Sequence, residues 1–355
     1  MNKKLVGLGV VSLAALTLAA CGSRTANKEA ASSSDSSSVK AAIVTDIGGV
    51  DDRSFNQSAW EGLTAWGKEA GLEKGNGYDY FQSASESDYV TNLDSAVSGG
   101  YNLVFGIGFA LESAIKEVAP NNTDTKYVIV DSVVADQSNV VSVGFADHEA
   151  SYLAGVAAAK STKSNHVGFI GGMQSEVIDR FEAGFVAGAK SVNPSIKVTV
   201  DYAGSFGDAA KGQTLASAQY AAGADVIFHA SGGTGNGVFA AAKAENETRN
   251  EADKVWVIGV DRDQSAEGKY TSKDGKEANF VLASTLKQVG TAVKDIATKT
   301  VEGKFPGGEI VRYSLKDKGV ELAETNLSED ATKAIADAKQ AILDGKVEVP
   351  ETPEK

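Results

Sequence analysis

Cysteine occurs once in 355 residues, as Cys21, so the chain cannot close a disulfide on itself. Histidine is nearly as scarce: His148, His166 and His229 are the whole supply. None stands beside a serine in a Gly-x-Ser-x-Gly elbow, and no His-Glu-x-x-His or Cys/His cluster is present. Hydrolytic and zinc chemistry therefore lack a recognisable residue set, and His166, opening a strand, reads as a surface residue. Cations are in the minority, 34 Lys and Arg against 47 Asp and Glu, for a formal charge of −13. Gripping a phosphate backbone needs clustered cations, so no nucleic-acid partner is expected. The apolar run from Leu5 to Ala20 falls short of the roughly 20 residues that span a bilayer.

What that run does have is the pattern of a processing signal. Lys3 and Lys4 precede it, no acid interrupts it, and it closes with Leu18-Ala19-Ala20-Cys21-Gly22. Small residues before a lone cysteine resemble the lipobox of bacterial lipoproteins, in which the cysteine becomes the lipidated N-terminus. Residues 1–20 are therefore expected to be a signal peptide, and Cys21 a lipid anchor on the extracellular side of the cell membrane. Several acyl chains on one residue hold a protein where a single chain would not. From Ala26 to Ser38 only small, polar or charged residues follow, too little apolar surface to offset the entropy of ordering. Residues 21–40 thus read as a flexible tether.

The remaining chain exceeds what one core usually encloses, so two lobes are expected. Short apolar runs alternate with amphipathic stretches: Ala41–Thr45, Tyr78–Gln82, Leu103–Ile107, Tyr127–Val130 and Val140–Phe145 read as strands. The rhythm then restarts with His166–Ile170, Lys197–Val200, Asp225–His229 and Val255–Ile258. Such alternation marks α/β architecture, parallel sheets covered by helices on both faces. We read an N-terminal lobe at 41–146 and a C-terminal lobe at 147–261. Residues 262–310 would return to the first lobe, and 311–355 would form second-lobe structure and a tail. Ligands in such sheets sit beyond the carboxyl ends of strands, which points to Asp46, Gly106–Phe109, Asp131, Gly171, Gly204–Asp208, Ser231–Gly237 and Asp261.

The densest polar segment runs from Asp46 to Ser58 and contains Asp51, Asp52, Arg53, Ser54, Phe55 and Asn56. Asp52 or Ser54 is suited to capping the helix that follows. The segment also invites comparison with the Asp-x-Asp-Pro-Gly-x-Asp-Asp calcium loop of nucleoside hydrolases, but Thr45, Ile47 and Gly48 replace an Asp, an Asp and the Pro. Two of four acids are missing, and calcium needs six to eight oxygens. Gly232-Gly233-Thr234-Gly235-Asn236-Gly237 opens a helix without the spacing of a dinucleotide or ATP loop; close approach to a sugar hydroxyl fits it as well. Phe206 puts a second aromatic at a strand end, and with Phe55 on the other lobe the two rings could stack a flat heterocycle. Asp261 ends a strand where a carboxylate can accept from paired hydroxyls. Lys287 reads as the start of the last long helix.

Together these segments resemble the basic membrane protein family of lipoproteins, most closely its purine nucleoside receptors. The carrying residues are the lipobox at Cys21, the block from Asp46 through Gly62, Gly144-Phe145, Gly168–Gly172, Ala230–Gly235 and Gly259-Val260-Asp261. The resemblance implies a type I periplasmic-binding fold, two doubly wound parallel-sheet lobes joined by a three-crossover hinge. It implies a monomer feeding an ABC permease, with neither cofactor nor metal. Adenosine, guanosine or inosine would lie between Phe55 and Phe206. Asp46, Asn56 and Asp131 would meet the base edge, and Gly232, Asp261 and Lys287 the ribose. A receptor for a sugar or other small metabolite, or an enzyme cleaving nucleosides, are the alternatives.

Overall fold

The computed structural model describes residues 39–354. The expected signal peptide, the Cys21 anchor and all but the last two residues of the expected tether lie outside them. The first half of the described chain runs β1 (Ala41–Thr45), α1 (Phe55–Glu69), β2 (Tyr78–Phe81), α2 (Tyr89–Ser98), β3 (Leu103–Ile107), α3 (Glu112–Val118), β4 (Lys126–Val130) and β5 (Val140–Phe145). The second runs α4 (Asp147–Ser161), β6 (His166–Gly171), α5 (Glu176–Val192), β7 (Lys197–Tyr202), α6 (Ala209–Ala221), β8 (Val226–Ala230), α7 (Gly235–Glu247) and β9 (Trp256–Gly259). A small hairpin follows, β10 (Lys269–Thr271) and β11 (Glu277–Asn279), then β12 (Val281–Lys287), α8 (Val289–Val301), β13 (Ile310–Tyr313), β14 (Val320–Glu324) and α9 (Glu329–Leu343).

β1 and β3 are buried at every position, as strands covered on both faces must be. Helix α1 instead buries Asn56, Ala59, Leu63, Trp66 and Gly67, the three-to-four spacing that turns one side of a helix to a core. The strands form two six-stranded sheets, in the orders β13-β5-β4-β3-β1-β2 and β14-β12-β9-β8-β6-β7. Every pairing in the first is parallel, and in the second only β14 runs antiparallel, against β12. The chain passes from one sheet's lobe to the other three times, after β5, after β12 and between β13 and β14. In the second lobe α4 lies directly on α5: a Cβ at Gly188 would stand 2.0 Å from the Tyr152 carbonyl oxygen, so only glycine allows this approach.

Three details differ from the sequence reading. Residues 262–310 do not return to the first lobe as one block: β12 pairs with β9 and β14 inside the second sheet. The return is made by α8, packed on α1, and β13, added beside β5, so residues 310–313 belong to the first lobe as well. Lys287 is accordingly the last residue of a strand rather than the start of a helix. His166 is also not a surface residue. It is buried, with its ring bonded to Thr199 at 2.8 Å, because neighbouring β7 covers it.

Candidate functional site

The carboxyl ends of the two sheets face one another across a cleft. All eight ligand residues singled out above line it: Asp46, Phe55, Asn56 and Asp131 from the first lobe, Phe206, Gly232, Asp261 and Lys287 from the second. The walls also include Phe109, Val177, Ile178, Phe181 and Ser231. Phe109 lay among the strand-end positions but carried no polar signal. Val177, Ile178 and Phe181 sit in the first turns of α5, where an apolar residue reads as helix core; only the strand end before them hinted at their place.

In the first lobe the wall is bonded to itself. Asp46 Oδ1 accepts from the Gly48 amide and from Asn56 Nδ2, both at 2.8 Å. Asp52 Oδ1 accepts from the amides of Ser54 and Gln57, and its Oδ2 from the amide and side chain of Asn56. Asp52 is thus the acid that caps α1, satisfying helix N–H groups that have no partner within the helix. Burial raises the Asp46 carboxyl to about 6, against the pull of these donors, and raises Asp52 as well.

In the second lobe Lys287 is the organising charge. Its Nζ lies 2.6 Å from Asp131 and 3.1 Å from Asp147, itself 3.5 Å from Arg180. The rings of Phe55, Phe145 and Phe181 surround it at 5.1 to 5.5 Å. Burial works to discharge this lysine, but Asp131, Asp147 and Asp261 outweigh it and hold the ammonium above its ordinary value. Asp131 and Asp261 both take left-handed backbone, φ 67° and 66°, a costly conformation for a residue with a side chain and one that clusters at functional sites. Burial lifts Asp261 to about 7 despite the field of Lys287.

The lobes are closed on each other. Ser54 Oγ donates to Asp261 Oδ2 at 2.5 Å, Gln264 Nε2 to the Arg53 carbonyl at 3.0 Å, and Arg53 and Arg262 pair with Glu267 and Glu61. Phe206 meets Phe109 edge-on across the cleft, ring centres 6.0 Å apart. None of the three histidines lines the cleft. His229 is sealed beneath it, and burial drives its ring down to about 4, so it stays neutral. No cluster of metal-ligating side chains occurs among the described residues.

Residues 39–353 match a family model described as ABC transporter substrate-binding protein, PnrA-like. The ABC transporter nucleoside-binding protein BmpA of Lactococcus lactis subsp. cremoris is 59% identical over 350 residues, covering 99% of each chain. A CD4+ T-cell-stimulating antigen of Listeria innocua serovar 6a is 50% identical over 351 residues, covering 98% of each. Among solved structures, an ABC transporter solute-binding protein from Aeropyrum pernix K1 superposes with a TM-score of 0.77 at 25% identity, covering 89% of this chain and 94% of its own.

Proposed function

The chain belongs to the PnrA-like family of ABC transporter substrate-binding proteins, and on that premise we propose that it captures purine nucleosides in the interlobe cleft and delivers them to an ABC permease. The family binds solutes rather than transforming them, so the residues are assigned binding roles. One observation carries the reading. Phe55 and Phe206, from opposite lobes, line one cleft together with Asp46, Asn56, Asp131, Gly232, Asp261 and Lys287; in this reading the first three of these polar residues meet the base edge and the last three the ribose. Two phenyl rings offer stacking to a planar heterocycle. Asp261 has one oxygen engaged by Ser54 and the other available to adjacent ribose hydroxyls. The relative named as a nucleoside-binding protein supports the same ligand class.

The cleft disfavours nucleotides. Its one cation, Lys287, is already shared between Asp131 and Asp147, while Asp46, Asp52 and Asp261 add negative potential. Closure follows from ligand bridging both walls, which lowers the energy of the closed form relative to the open one. No helix among the described residues is long and apolar enough to cross a membrane; a lipid on Cys21 would hold the receptor at the outer face of the cell membrane, beside its permease.

Calorimetry with purine nucleosides, free bases, pentoses and nucleotides, followed by chromatography of the recovered ligand, tests the reading. Adenosine, guanosine or inosine should bind one per chain and return intact, with bases, pentoses and nucleotides far weaker. Tight binding of a pentose without a base, or release of base and ribose, would sink it. Replacement of Cys21 by alanine should shift the protein from the membrane to the medium.

A further inference from the structure

Ser231 lines the cleft where β8 ends and the turn into α7 begins. Behind it runs a chain of hydrogen bonds whose direction is fixed at the far end. Gln264 Oε1 accepts from the Val260 amide at 2.8 Å, and Gln264 Nε2 donates to the Arg53 carbonyl at 3.0 Å. Each partner is a backbone group that can play only one part, so turning the Gln264 amide over would lose both bonds. The His229 ring reaches the same Gln264 Oε1 with its Nε2, at 3.2 Å. A carbonyl oxygen can only accept, so the ring hydrogen sits on Nε2. Burial keeps the ring neutral, which leaves Nδ1 as a bare acceptor. Ser231 Oγ, 3.3 Å from Nδ1, is then the donor of that bond. The ring is also wedged in place. A Cβ on Gly235 would stand 2.2 Å from one of its carbons, and Phe239 meets it edge-on with ring centres 5.5 Å apart. All three side chains of the chain, Ser231, His229 and Gln264, are buried.

With its hydrogen turned inward to His229, Ser231 has only the lone pairs of Oγ left for anything in the cleft. Its partner there has to be a donor. On a nucleoside, the donors that would lie beside Gly232 and Asp261 are the sugar hydroxyls. Building on the nucleoside reading, we propose that Ser231 is a further ligand-binding residue, accepting a hydrogen bond from one ribose hydroxyl, with His229 and Gln264 as the positioning residues that hold it as an acceptor. A sugar in which that hydroxyl is missing leaves Oγ without its partner and binds more weakly. The chain ends on the Arg53 carbonyl, in the first-lobe loop that carries Ser54 and Phe55. The hydroxyl gripped in the second lobe and a contact that closes the lobes therefore belong to one network, in which each bond polarises and strengthens the next.

Calorimetry with adenosine, inosine and the 2′-deoxy, 3′-deoxy and 5′-deoxy forms of each tests this on the unaltered protein, Ser231→Ala and His229→Phe. Ser231→Ala should weaken the parent nucleosides by about five- to tenfold and leave one deoxy form unchanged, the form that lacks the hydroxyl Ser231 accepts from. His229→Phe should shrink the preference for the parent over that same deoxy form without abolishing it. Equal losses in Ser231→Ala for the parents and all three deoxy forms, or no loss at all, overturn the binding role and leave the nucleoside reading standing. A preference that survives whole in His229→Phe overturns the positioning role. Nitrogen NMR of the isotope-labelled unaltered protein at neutral pH should show the His229 hydrogen on Nε2; a hydrogen on Nδ1 overturns the direction of the chain whether or not either variant folds. Failure of both parent nucleosides to bind the unaltered protein overturns the nucleoside reading itself.

Discussion

In the first lobe most of the cleft wall is one stretch of chain, Asp46 to Asn56, whose amides and side chains bond to two carboxylates within that stretch. In the second lobe the wall is gathered from the ends of four strands, at Phe206, Gly232, Asp261 and Lys287, and from the start of α5. The local wall keeps its hydrogen bonds whether the lobes are together or apart. The gathered wall has two charged groups, Lys287 and Asp261, that find first-lobe partners, Asp131 and Ser54, only on closure. One wall is prepared for the ligand in advance, and the other registers that the lobes have met.

The comparison breaks most visibly at Lys287. Lys287→Met leaves Asp131 buried without its cation and Asp147 with Arg180 alone, a loss of about 3–5 kcal/mol, which urea unfolding should report. A cost below about 1 kcal/mol would mean that Asp131 is not charged in the folded protein. Next come the rings. Phe55→Ala and Phe206→Ala should each weaken nucleoside binding by about 1–3 kcal/mol, readable by calorimetry. Equal losses place the base between both walls; a loss confined to Phe55→Ala means that the first wall alone holds it.

Ser54→Ala removes a hydrogen bond to a buried carboxylate and should cost about 1.5 kcal/mol. The loss falls on the closed form, so ligand dissociation should speed up about tenfold with little change in association. Smallest is the effect of pH on the unliganded protein. The folded state holds the protons of Asp46 and Asp261 more tightly than the unfolded chain does, to about 6 and about 7. Their contribution to stability is therefore complete below the ordinary carboxylate range and lost as pH rises through 6 and then 7. The melting temperature should fall between about pH 4 and 7 and level off above that, and Asp261→Asn should recover about 2 °C at the upper end.

Much of this was legible without coordinates. Strands such as β1 and β3 stood out because a strand covered on both faces carries an unbroken apolar run. The loop after β1 stood out because three acids, a phenylalanine and an asparagine crowd a connector in which one acid would cap the helix. β12 was harder. Ser284 and Thr285 interrupt its apolar character, and α8 begins only two residues after Lys287, so the lysine reads as helical. Phe109 and Phe181 stayed hidden because a phenylalanine at a helix start looks the same whether it packs inward or faces a cleft.

By itself the sequence determined the alternation of elements, the strand ends where a ligand could sit, and the capping chemistry of the Asp52 loop, all set by neighbours within a few residues. Only the tertiary structure decided that Lys287 meets Asp131 across 156 residues and Ser54 meets Asp261 across 207. Those pairs exist because two separately built lobes close on one another, and no local window of sequence contains the geometry of that closure.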